Sequence, residues 1–111
     1  MQLPNADKAY INHDKLKDYS LNLEHPRGKH KARLFAAILA LKVEDIDDLK
    51  VIILDAIKRY DTTLGNLDQY GQRYIVDFPV SRNSNTAIVR TIWIVRVDET
   101  FPRLVSCYIL R

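Results

Sequence analysis

The hydrophobic pattern of this 111-residue chain changes its period once, and that change limits the folds available to it. Up to about residue 60, apolar residues recur every three or four positions, as on the buried side of an amphipathic helix. From about residue 72 they recur at every second position, as in a half-buried β-strand. The sequence therefore predicts an α+β domain in which about three N-terminal helices precede a C-terminal sheet.

Three helices are predicted in the first part of the chain. Asn12 is placed to cap a short first helix, and Pro26 suits the first position of a second one. Asp45 precedes the third and most regular helix, where Asp47 and Asp48 complement the helix dipole. The expected buried positions of the last two helices are Ala32, Phe35, Ile38, Leu39, Leu41, Ile46, Leu49, Ile53, Ala56, Ile57 and Tyr60.

Three strands are predicted in the second part, in "QRYIVDFPV", "TAIVRTIWIVRV" and "RLVSCYILR". Their links are too short for parallel crossovers, so the strands form an antiparallel meander. "KAYI" near the N-terminus adds a possible fourth, edge strand. We expect the helices to cover one sheet face, and the period leaves open whether this is the face of Trp93 or that of Ile92.

Composition places the chain in the class of globular proteins, as a single domain over residues 1–111. Hydrophobic residues make up 47% and charged residues 28%. The longest apolar run, residues 34–41, is far too short for a membrane span, and no signal-peptide pattern opens the chain. The lone Cys107 excludes a disulfide within the chain and suits a reducing cytoplasm.

No metal or cofactor is predicted. The three histidines and the single cysteine match no usual zinc-ligand spacing. Phosphate loops, dinucleotide-binding glycine patterns and nucleophile elbows do not occur in the sequence.

The net charge of +3 is unevenly distributed along the chain. Residues 1–69 contain equal numbers of cations and acids, whereas residues 70–111 contain six arginines and three acids. Arginine is suited to bidentate contacts with phosphate, so this part of the chain is a candidate anion surface. The alternative is that the arginines only solubilise strand edges.

A second candidate anion site lies in "EHPRGKHKARLF", residues 24–35. Cations at a helix start oppose the dipole by roughly 0.3 to 1 kcal/mol each, which suggests that they serve another purpose. Arg27, Lys29 and Lys31 could bind a phosphate there, and Gly28 would allow it to approach the backbone closely. The alternative is an ordinary solvated basic face.

His25 and His30 lie in the same segment and are candidates for proton transfer near neutral pH. A surface histidine more often has no catalytic role, and the sequence shows no partner for either ring.

Several segments carry a resemblance to a known family: "LPNADKA", "LN" with "HP", "KA..F", "VRT.W" and "RLVSCY". Over residues 3–108 the chain resembles a family of small, uncharacterised bacterial proteins known from cyanobacteria and other bacteria. That family is related to the C-terminal domains of phage head-morphogenesis and polymorphic-toxin proteins. More distantly, helices followed by such a sheet are similar to the barnase, EndoU, colicin and RelE ribonuclease toxins.

The distant resemblance implies a metal-independent ribonuclease that cleaves RNA by transesterification, with groups from a helix and from the sheet. The implied residues are Lys31 with His25 or His30 on the helix side, Arg90 and Thr91 on the long strand, and Ser106 and Tyr108 on the last strand. Ser106 and Tyr108 are two positions apart and share a face, whereas the adjacent Arg90 and Thr91 cannot.

A protein-interaction module is the alternative function. A sheet face that combines arginine with Trp93 and tyrosine is typical of protein interfaces. The partner would then be a neighbour-encoded or immunity-like protein. RNA binding without cleavage is a third hypothesis, in which affinity falls steeply with salt.

Overall fold

A single four-stranded antiparallel sheet forms the C-terminal half of the protein. The computed structural model describes residues 1–110. The strands follow one another in space in the order of the sequence: β1 (Thr62–Asp68), β2 (Gly71–Arg82), β3 (Asn85–Arg96) and β4 (Arg103–Ile109). The predicted α+β fold with an antiparallel meander is confirmed.

The helices precede the sheet, as predicted. They are α1 (His13–Lys15), which continues as a π-helical turn (Leu16–Ser20), α2 (Lys29–Leu39) and α3 (Ile46–Arg59). Short 3-10 turns occur at Ala6–Lys8 and Val43–Asp45. The predicted cap of the first helix is confirmed, because the side chain of Asn12 accepts a hydrogen bond from the Asp14 amide at 2.9 Å.

The predicted start of the second helix is wrong by one turn. Pro26 lies in the turn that precedes α2, and the helix itself begins at Lys29. The helix ends where Ala40 adopts the left-handed conformation (φ 51°). Leu41 directly follows Ala40 and is nevertheless buried, with an exposure of 1%. Its amide donates to the carbonyl of Phe35, which holds it against the end of the helix.

The helices cover the face of the sheet that carries Trp93. Trp93, Val76, Phe78 and Val89 all have exposures of 1% or less and pack in the core with the buried positions of α2 and α3. The opposite face, which we call the outer face, therefore carries Asp77, Arg90, Ile92, Ser106 and Tyr108. The choice that the sequence left open is thereby decided.

Two strand predictions need correction. β1 was missed, because most of its residues are exposed and it has no apolar alternation. The predicted "KAYI" strand is reduced to one parallel bridge between Tyr10 and Arg103. The short link between the second and third strands is a tight hairpin turn, in which Asn83 and Ser84 both have positive φ.

The free edge of β4 is covered by the chain itself. A bulge in β4 places Ser106 opposite Ile92 and Leu104 opposite Trp93, which leaves Val105 as the extra residue. The carbonyl oxygen of Val105 accepts a hydrogen bond from Nζ of Lys15 at 3.1 Å. This contact links residues 13–20, which we call the α1 segment, to β4 beside the site described next.

Candidate functional site

A cleft of about 510 Å³ lies between the α1 segment and β4. Its lining includes Lys15, Asp18, Tyr19, His25, Val105 and Ser106, and we call it the β4 cleft. The sequence analysis named two of these residues, His25 and Ser106. The π-helical turn supplies Asp18 and Tyr19, and the β-bulge supplies Val105.

Lys31 of α2 contacts Tyr19, which lines this cleft, and Tyr108 of β4. Its Nζ lies 4.7 Å from the ring centroid of Tyr108 and 5.6 Å from that of Tyr19. A cation near the faces of two rings is held by the ring quadrupoles, each contact contributing about 0.5 to 1 kcal/mol when partly exposed. Lys31 is thus fixed as a positive charge between the helical layer and β4.

A polar row crosses the outer face beside Lys31. Asp77 of β2, Arg90 of β3 and Tyr108 of β4 are cross-strand partners. Nε and Nη2 of Arg90 donate to the two carboxylate oxygens of Asp77 at 2.9 and 2.8 Å. This bidentate pair raises the pKa of Arg90 above its ordinary value, and the phenol of Tyr108 adds smaller contributions in the same direction. Because Asp77 neutralises it, Arg90 is a weaker phosphate ligand than the sequence suggested.

His25 has a structural role that the sequence did not reveal. Its Nδ1 accepts hydrogen bonds from the amides of Arg27 and Gly28 at 3.0 and 2.9 Å, which caps the turn before α2. The neutral ring therefore carries its proton on Nε2. A second proton would break both hydrogen bonds, so His25 is a poor proton acceptor in catalysis.

Gly28 is required by the protein's own chain. A Cβ atom at this position would lie 2.6 Å from the carbonyl oxygen of Tyr19. The amide of Gly28 is also engaged by His25, and the amide of Lys29 donates to the carbonyl of His25. The expectation that Gly28 lets an anion approach the backbone is therefore corrected, and the amides of Arg27, Gly28 and Lys29 are already engaged.

Eight of the ten predicted site residues separate into three groups. Lys31, Arg90 and Tyr108 come together, and Ser106 and His25 line the adjacent cleft. Arg27 and His30 are exposed and Lys29 is half-buried.

Thr91 and Trp93 are absent from the surface, so the expectation that they bind a ligand is corrected. Both have 0% exposure. Nε1 of Trp93 donates to Oγ1 of Thr91, and this hydroxyl donates to the carbonyl of Val76, each at 2.8 Å. The polar groups of both side chains are satisfied within the core.

The arginines of residues 70–110 are paired with acids, although Arg96 reaches its acid only at 4.0 Å. The salt bridges join Arg73 to Asp68, Arg82 to Asp45 and Asp48, Arg90 to Asp77, and Arg96 and Arg103 to Glu99. Three of these acids come from the N-terminal part of the sequence, so the charge excess along the chain is largely cancelled in space. The sixth arginine, Arg111, lies outside the described residues.

Lys15 and Tyr19 are the important site residues that the sequence analysis missed. They are four positions apart in the first predicted helix and therefore lie on one side of it. This spacing was the available signal.

Metal-binding and membrane-spanning features concern residues 1–110, the part of the chain that the structure describes. These residues contain no group of three or more His, Cys, Asp or Glu side chains placed to hold a metal ion. No helix among them is both long and apolar enough to cross a bilayer.

Comparison with known proteins identifies a family. The model of DUF6883, a domain of unknown function, matches residues 2–111, and the chain therefore belongs to this family. No curated protein and no solved structure matches the chain significantly.

Proposed function

We propose that this DUF6883 domain binds an RNA phosphodiester at the β4 cleft and cleaves it by transesterification. The proposal depends on one observation: Nζ of Lys31, from the helical layer, lies 4.7 Å from the ring of Tyr108, from the last strand. A positive charge, a phenol and the cleft that contains Ser106 thus adjoin one another, as a phosphate site requires.

In the proposed reaction the 2′-oxygen attacks phosphorus and forms a new P–O bond, while the bond to the 5′-oxygen breaks. The products are a 2′,3′-cyclic phosphate and a 5′-hydroxyl. The ammonium group of Lys31 neutralises the charge that develops on the phosphoryl oxygens and gives a proton to the departing 5′-oxygen. Tyr108 donates a hydrogen bond to the phosphate, and Arg90 positions Tyr108.

The proton of the 2′-hydroxyl needs an acceptor with a free lone pair. His25 is unsuited because its Nδ1 already accepts two backbone hydrogen bonds. His30 directly precedes Lys31 and is exposed, and neither of its ring nitrogens is hydrogen-bonded within residues 1–110. Adjacent residues on a helix do not face each other, so His30 does not share the site of Lys31, and this proton passes to solvent water.

The test is cleavage of mixed RNA by the purified protein in the presence of a metal chelator. We expect Lys31→Ala and Tyr108→Phe to lower the cleavage rate about 100-fold, as the loss of one transition-state charge or donor does elsewhere. Lys58→Ala is the matched control, since Lys58 is exposed near the end of α3. Absence of cleavage, or equal rates for Lys31→Ala and Lys58→Ala, would contradict the proposal.

A protein-interaction role is the second candidate, and the state of Arg90 favours it. Its pairing with Asp77 lowers the attraction of this end of the outer face for phosphate. Ile88 lies nearby on the same strand with an exposure of 41%. A saturable protein partner that binds there, together with no RNA cleavage, would favour this role.

A further inference from the structure

The β4 cleft is one end of a longer depression. Two further hollows, of about 630 and 140 Å³, lie on the outer face, and both share Lys15 and Val105 with the cleft. We call these two hollows the outer groove. Ile94 and Val105 form part of its lining, with Tyr10, Tyr70 and Arg96 around them.

Two cations of the outer groove are only weakly neutralised by nearby carboxylates. Lys15 bonds to a neutral carbonyl group, that of Val105. Nε of Arg96 lies 4.0 Å from Glu99, and Arg96 is 54% exposed. Both carboxylate oxygens of Glu99 already accept from Arg103 at 2.7 Å, so Arg96 is only weakly neutralised.

The acids around the groove reduce this positive charge without cancelling it. Asp98 lines the groove, whereas Asp68 is bound to Arg73 at 2.7 Å. Within the outer groove, counting Lys15 and Arg96 against Asp98 leaves a small positive excess, whereas the adjoining β4 cleft adds the carboxylates of Asp14 and Asp18. The groove therefore suits a ligand with a few phosphates and a second source of affinity.

Exposed aromatic rings offer that second source. Tyr70 is 62% exposed and lines the same hollow as Arg96, whereas Tyr10 is 45% exposed and the guanidinium of Arg103 covers one face of its ring, 5.1 Å from the centroid. At the other end, the ring of Tyr19 borders the β4 cleft. Tyrosines interspersed with cations along a groove are the arrangement that binds single-stranded nucleic acid, because any base can stack on them.

We propose that the outer groove binds single-stranded RNA, with bases on Tyr70 and Tyr10 and phosphates at Arg96 and Lys15. This proposal rests on the proposed function in one respect, namely that the RNA bound in the outer groove continues into the β4 cleft. Paired bases have no free ring face to stack on these tyrosines, so duplex RNA binds poorly. A groove that crosses β3 and β4 accommodates about four nucleotides.

The test uses labelled oligonucleotides whose 2′-hydroxyls are methylated, so that binding is measured without cleavage. Fluorescence anisotropy should show that a single-stranded oligomer of about five nucleotides binds at least tenfold more tightly than a dinucleotide or a duplex. Tyr70→Ala should weaken binding of the longer oligomer about tenfold. Arg96→Ala should weaken it about fivefold and reduce the slope of log affinity against log salt by about 0.7.

Arg59→Ala is the control, because Arg59 lies on α3 and is 62% exposed. Circular dichroism checks that each variant is folded. The proposal is overturned if no oligomer binds, if duplex binds as tightly as single strand, or if Tyr70→Ala and Arg96→Ala bind like Arg59→Ala. Since the probe cannot be cleaved, the binding result does not depend on whether the protein cleaves RNA. If the protein cleaves RNA but does not bind these oligomers, only the proposal for the outer groove is overturned, and the proposed function stands.

Discussion

Replacing Thr91 with valine tests the assignment of Thr91 and Trp93 to the core. Valine has nearly the shape of threonine, so the change opens no cavity, but it removes the hydroxyl that accepts from Nε1 of Trp93 and donates to Val76. A buried indole N–H without a partner costs about 1 to 3 kcal/mol, and the second lost hydrogen bond adds about 1 kcal/mol. We therefore expect Thr91→Val to lower the free energy of unfolding by about 2 to 4 kcal/mol.

The measurement is urea unfolding followed by circular dichroism. With a typical urea m-value for a small domain, the expected loss lowers the midpoint by about 1 to 2 M. Thr86→Val is the matched control on the same strand: the Thr86 hydroxyl bonds only to that of Ser81 at 2.8 Å, and because this pair is exposed, water can replace the bond and the change should stay within about 0.5 kcal/mol. In a Trp93→Phe background, Thr91→Val should lower the free energy of unfolding by less, since no indole N–H remains that needs a hydrogen-bond acceptor.

The reasoning fails if Thr91→Val is as stable as Thr86→Val. It also fails if the loss in stability is the same with Trp or Phe at position 93, because the hydrogen bond would then have no measurable energy. A surface role for Thr91, by contrast, would predict a stable variant that has lost only ligand binding.

Two further predictions concern Gly28 and Cys107. Gly28→Ala should lower the free energy of unfolding by about 1 to 3 kcal/mol in the same assay, because the new Cβ would lie 2.6 Å from the carbonyl oxygen of Tyr19. Replacing glycine at an unstrained site often increases stability, so a gain in stability here would contradict the prediction. Burial raises the pKa of Cys107 to about 11, so iodoacetamide at about pH 8 should label the thiol only after unfolding, and rapid labelling of the folded protein would show that the site is open.

Lys31, Arg90 and Tyr108 were named from a resemblance, and the structure places Lys31 beside Tyr108 and Tyr108 opposite Arg90, but most details of their surroundings were not predicted. Whether Arg90 is free depends on Asp77, which lies on another strand and contacts it only in the folded sheet. The capping role of His25 depends on the geometry of the turn before α2, which the hydrophobic pattern of the sequence does not specify. The outer groove depends on Lys15, Tyr70 and Arg96, which are far apart in sequence and meet only through the sheet.

The sequence by itself determined the α+β class, the order of helices before strands, the cap at Asn12 and the hairpin turn at Asn83 and Ser84. These features are local, because hydrophobic period, capping and turn chemistry act between residues a few positions apart. Only the tertiary structure decided which sheet face is covered, that β1 completes the sheet, and that N-terminal acids neutralise the C-terminal arginines. Those outcomes depend on contacts between distant segments, and a residue's neighbours in space cannot be read from its neighbours in the chain.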